Sequence, residues 1–184
     1  MKFLIVCLVF FLIFASCMTD DIESLLNGFE KYDISQFHNL KIYPRDGDDK
    51  SQYYVTYFDS FTDSLGILKR RKALFLVALE KQKDGSIKSL ANLVGDTAKL
   101  IFCREHGIDT SSFNSHIHNL FNNFLLYSVN SIENIGGKYL MEGDKYNIAY
   151  LDNDAIKTDY IKCNYIKYNN NWYYLVVENA SVSD

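Results

Sequence analysis

The 184-residue chain carries 19 Lys and Arg against 23 Asp and Glu, a net charge of −4. Charge this balanced, with no basic run beyond "KRRK" at 69–72, argues against a nucleic-acid partner, which needs concentrated positive charge for its phosphates. The 14 Tyr and 13 Phe argue against disorder, and the chain is long enough for one domain with a core of its own.

The first element is a targeting segment. Lys2 supplies a short positive start, Phe3 to Phe14 is unbroken apolar sequence, and Ala15 and Ser16 precede Cys17 and the acids Asp20 and Asp21. A helix of that apolar length rises about 18 Å, against a hydrocarbon core of about 30 Å, so a removed signal fits better than a permanent anchor. A cut after Cys17 would leave Ala15 at −3 and discard the cysteine. The run "FASC" at 14–17 also resembles the lipobox of bacterial lipoproteins. That resemblance implies removal of residues 1–16, a diacylglyceryl thioether on Cys17, and a membrane-anchored extracytoplasmic domain over 17–184. The alternatives are simple secretion and an uncleaved anchor.

In chain order, "DDIESLLNGFEKYDI" predicts a helix, with acids in its first turn and Ile22, Leu25, Leu26 and Phe29 on one stripe. "YPRDGDDKSQ" reads as a loop around Gly47, and "QYYVTYFDS" as a strand. Residues 64–83 fit either a helix or a buried strand centred on "ALFLVAL"; strand is adopted. A helix is predicted from Ser86 to Gly107, with Leu90, Leu93, Val94, Thr97, Leu100 and Ile101 on its stripe. A second follows, with Phe113, Ile117, Leu120, Phe121, Phe124 and Ser128 on its stripe, ending at Gly136 and Gly137. The tail predicts four strands, "KYLMEG", "KYNIAYL", "AIKTDYIKCNYIKY" and "WYYLVVE", separated by turn residues. In the third, Ile161, Cys163 and Tyr165 would share a face. The expected fold class is α+β: an N-terminal helix, two central amphipathic helices, and an antiparallel sheet ending in a C-terminal meander.

Chemistry-bearing residues are sparse. Once the signal is gone, Cys103 and Cys163 form a candidate disulfide for an oxidising compartment, with two buried thiols as the equal alternative. His116 and His118 lie about 200° apart on a helix, so they cannot share one ion. Cys103 and His106 share a helix face and could begin a zinc site completed by His116 or Cys163, or form a catalytic thiol pair, but the spacing matches no compact zinc pattern and no third group orients the thiol. The acids at 46–49 and 152–154 match no calcium loop, and no nucleotide or acyl-hydrolase motif is present. No metal or cofactor is implied and no catalytic residue can be named. Tyr and Trp favour interfaces, where a large ring keeps a polar handle; Tyr150, Tyr168, Trp172 and Tyr174 are the candidate binding surface. The expected function is an envelope binding or interaction protein, tethered to the membrane through Cys17 and engaging a protein or envelope component. A small secreted hydrolase with dispersed catalytic residues is the alternative. A deep pocket lined by histidines or paired carboxylates would favour the enzyme, and an exposed aromatic face the binder.

Overall fold

A computed structural model describes residues 22–46, 49–62, 68–84, 86–93, 95–135, 138–152 and 154–177. The chain divides into two compact units, Met1–Asp33 and Ile34–Asp184. In the first, residues 22–29 form helix α1. Backbone bonds from Glu30 to the Leu26 carbonyl and from Lys31 to the Gly28 carbonyl continue its last turn.

In the second unit, nine strands among the described residues form one antiparallel sheet. They are β1 (Leu40–Asp46), β2 (Asp49–Thr62), β3 (Leu68–Lys81), β4 (Ile87–Leu93), β5 (Ser131–Ile135), β6 (Lys138–Glu142), β7 (Tyr146–Leu151), β8 (Ile166–Lys167) and β9 (Trp172–Val176). Their spatial order is β4-β3-β2-β1-β5-β6-β7-β9-β8. The helices of this unit are short: α2 (Asp96–Glu105), α3 (Phe113–Leu126) and α4 (Asp154–Lys162).

Alternation along the strands sorts the side chains into two faces. Ile42 pairs with Val55 and Ile132, Val55 with Phe75, and Ile132 with Met141; all five are buried. Helix α3 packs on this face through five residues of the stripe expected for it, Phe113, Ile117, Leu120, Phe121 and Phe124, all buried, while the sixth, Ser128, lies past its end and is exposed. Tyr53 meets the rings of Phe121 and Phe124 edge-on at 5.8 and 5.3 Å. Each such side chain contributes about 1.5–3 kcal/mol by leaving water. Helix α2 adds Phe102, whose ring lies 5.3 Å from that of Phe75.

The expected α+β layout is corrected. The molecule is mainly one large antiparallel sheet with short helices, and four of its strands precede α2 and α3. The loop expected at 43–52 holds the end of β1 and the start of β2, and two longer segments change type. The helix expected from Ser86 to Gly107 is a strand followed by a helix. Ile87–Leu93 pairs with Phe75–Lys81 of β3, and long-range pairing overrides local helical spacing there. Extended backbone at Gly95 (φ 170°, ψ 156°) then separates β4 from α2.

The second segment is "AIKTDYIKCNYIKY", expected as a strand and found mostly as α4. Asp154 sits in its first turn and accepts from Lys157 Nζ at 2.8 Å. Ile156 and Tyr160, one turn apart, pack against Ala149, Leu151 and Tyr173 of the sheet. The helix closes at Asn164, where φ is +66° and the Tyr165 amide donates to the Tyr160 carbonyl at 3.1 Å. Asn tolerates that left-handed position better than most residues. The helix expected to run to Gly136 also stops early, at Ser128 with φ +50°, and its tail becomes β5.

Helix α2 ends at Gly107, where φ is +63° and open space surrounds the position of a Cβ. Gly107→Ala is therefore expected to cost about 1–2 kcal/mol through backbone strain alone. Urea denaturation checks this: a midpoint equal to wild type would contradict it.

Candidate functional site

On the face of the sheet opposite α2 and α3, the central strands carry a different set of residues. Tyr43 of β1 pairs with Tyr54 of β2, and Tyr54 with Leu76 of β3. The two Tyr rings lie 5.5 Å apart at 40°, and all three side chains are only half-buried. Beside them Lys41 Nζ bonds Glu133 Oε2 at 2.7 Å and lies 5.5 Å from the Tyr43 ring centre. Ser131 Oγ donates to Glu142 at 2.9 Å. Lys41, Tyr43, Pro44, Thr56, Ser131, Glu133 and Glu142 line a shallow cavity of about 550 Å³.

Thr56 contributes an anomaly to this cavity. Its side chain is buried, and its Oγ1 has no hydrogen-bond partner among the described residues. A buried hydroxyl without a partner normally costs free energy. Helix α4 flanks the same face further along the sheet. Burial pushes the phenols of both Tyr160 and Tyr165 above their usual value, aided respectively by Cys163 and by the Tyr160 hydroxyl, with the Glu133 and Glu142 carboxylates adding to the effect. Both phenols stay protonated, so they remain donors. What this surface offers is aromatic area, carboxylate acceptors and phenolic donors, with Lys41 already held by Glu133.

The residues singled out from sequence are scattered. Cys17 lies outside the described residues. Cys103 is buried on α2 and Cys163 is exposed just after α4; both are free thiols. Burial pushes the Cys103 thiol up, which disfavours the thiolate that a nucleophile or metal ligand requires. Trp172 is buried, while Tyr150, Tyr168 and Tyr174 are half-buried. The rings of Tyr139, Tyr150 and Trp172 form a ladder across β6, β7 and β9, with neighbouring centres 5.9 and 5.0 Å apart. The structure thus places that candidate surface partly inside the packing.

The two histidines of "HIH" diverge. His116 faces His106 with ring centres 5.2 Å apart, whereas His118 reaches Ser89 and Asn122 at 3.2 Å each. His106 stacks on Phe102 at 4.2 Å, and its Nε2 is buried without a hydrogen bond among the described residues. Burial, then the charges of His116 and His38, push its pKa down to about 4. Among the described residues no three His, Cys, Asp or Glu side chains gather as metal ligands.

Sequence reasoning missed Lys41, Tyr43, Thr56, Glu133 and Glu142. The available signal was period-2 alternation in "LKIYP", which puts Leu40 and Ile42 on one face and Lys41 and Tyr43 on the other. Comparison with protein-family models, curated proteins and solved structures finds no match to this chain. No helix among the described residues is long and apolar enough to cross a membrane.

Proposed function

We propose that this protein is an extracytoplasmic binding module, tethered through lipid on Cys17, that presents the Tyr43–Tyr54 face of its sheet to a protein partner of the cell envelope. The observation that carries the reading is this half-buried aromatic and aliphatic row on the face opposite α2 and α3. Tyrosines in such a setting are typical anchors, because they add contact area at low entropic cost while keeping a hydroxyl for hydrogen bonding. The lipobox-like "FASC" supports the tether and the location. A hydrolase has less support, since Glu133 is held by Lys41 and Glu142 accepts from Ser131.

The test is capture of envelope proteins by the full chain, followed by affinity measurement with the captured partner. Tyr54→Ala and Tyr43→Ala are each expected to weaken binding by about tenfold or more, the effect of losing an anchor. Their denaturation midpoints should stay close to wild type. Affinity unchanged in both variants would sink the assignment of this face. A mass spectrum of exported protein beginning at Met18 without lipid would remove the tether.

A further inference from the structure

At the C-terminal end of α3, the covered face of the sheet opens into a second cavity, of about 720 Å³. That volume lies in the range used by small-molecule ligands. Its floor is apolar: Tyr53 of β2 and Val129 are buried, and Leu79 of β3 and Leu125 of α3 are half-buried. Two exposed lysines, Lys50 and Lys81, stand at the rim, and among the described residues no carboxylate lines the cavity itself, Asp144 lying beside it against Lys50 and Asn130.

Neither lysine is firmly neutralised. Lys50 reaches Asp144 at 3.4 Å, but the two side chains are 53% and 74% exposed, and water screens such a pair heavily. Lys81 has no ion-pair partner among the described residues. The negative end of α3 is also blunted, because the carbonyls of Phe124 and Leu125 accept from the amides of Tyr127 and Ser128.

An apolar floor beneath two available ammonium groups matches a ligand with an apolar chain and an anionic head. We infer that this cavity binds a single-chain amphiphile with a carboxylate or phosphate headgroup. The chain lies on Tyr53, Leu79, Leu125 and Val129, and the headgroup meets Lys50 and Lys81. The apolar floor, Tyr53, Leu79 and Leu125, is on the opposite face from Tyr43 and Tyr54, so binding there is tested independently of the proposed partner surface.

The experiment is a titration of the full chain followed through the methyl resonances of Leu79, Leu125 and Val129. Decanoate and decyl phosphate are the probes; decyltrimethylammonium and inorganic phosphate are the controls. The two anionic amphiphiles should give saturable shifts, and the tighter of them identifies the headgroup. Lys81→Glu should weaken the affinity by about tenfold or more, as expected when an attractive charge becomes repulsive. Asp144→Asn should tighten it by removing a negative charge that lies beside the cavity, next to Lys50 and Asn130. The inference is overturned by an absence of saturable shifts, by equal binding of the cationic amphiphile, by equal response to inorganic phosphate, or by unchanged affinity in both variants.

Discussion

Phe102→Ala is expected to destabilise the protein by about 3–5 kcal/mol, the usual cost of removing a buried ring whose cavity cannot collapse. Phe102 is fully buried at the hub of an aromatic cluster. Its ring centre lies 6.0 Å from that of Tyr57, 5.3 Å from Phe75 and 5.7 Å from Phe113, all edge-on. These neighbours sit on β2, β3 and α3, so one truncation loosens the attachment of α2 to the sheet and to its neighbouring helix. Phe102→Leu keeps most of the volume and should cost less than half as much. Urea denaturation with an unchanged slope would establish both values. A loss below about 1 kcal/mol for the alanine variant would show that the cluster relaxes around the gap.

The second large effect depends on pH. His106 is stacked on Phe102, lies 5.5 Å from the Tyr57 ring, and faces His116 on α3. His38 also raises the cost of charging it, and its own helix supplies the neutral Cys103. Its pKa falls from 6.5 to about 4, so the folded state binds this proton less readily than the unfolded chain does. The associated stability is present above about pH 6.5 and is lost as the pH falls through 6.5 toward 4. At full strength that interval is worth about 3 kcal/mol, and the accessible part of the ring reduces it to about 1–2 kcal/mol. Burial lowers the pKa of His116 as well, which adds to the loss with the same sign.

His106→Phe removes the titration and an unbonded buried nitrogen while keeping a ring of similar size. The melting temperature of wild type should fall between pH 7 and 4.5, and that of the variant should fall much less. Parallel curves would refute the role of His106. The carboxylates of Asp84, Asp144 and Asp154 are held below their usual value by hydrogen bonds from Ser86, Asn130 and Lys157 respectively. Their contribution is lost as the pH falls through those lowered values, a window that lies below that of His106.

The legible parts of the sequence were those in which local pattern and tertiary packing agree. The stripe from Phe113 to Phe124 is helical in spacing and meets the sheet as one face. The Tyr-rich run at 52–60 lies in β2. Leu90, Leu93 and Val94 misled because they continue the spacing of α2 across Gly95, and only pairing with β3 settles Ile87–Leu93 as a strand. Ile156, Tyr160, Ile161 and Tyr165 misled in the opposite sense: their β-forming side chains outweighed the stop signal at Asn164. For the candidate site, Pro44 and the neighbouring acids drew Tyr43 into a loop. It lies within β1, where the pairing register shifts between Pro44 and Asp46, a bulge of the kind in which strands tolerate proline. A contact such as Lys41 with Glu133, 92 positions apart, leaves no local trace at all.

The order of the strands also governs how the sheet can grow. One lateral margin is β4, seven residues long, with Ile87 40% and Leu90 36% exposed; the other is β8, only two residues long. Beyond the reach of β4, the outer margin continues along β3 through Lys69, Arg70, Arg71 and Lys72, a charged stretch of the sort that discourages strand addition. Among the described residues, main-chain templating is thus concentrated on the short strand β4. Two molecules joined through β4 would use up that short segment in each and leave β8 and the end of β9 at their outer margins, a geometry that favours a pair over a fibre.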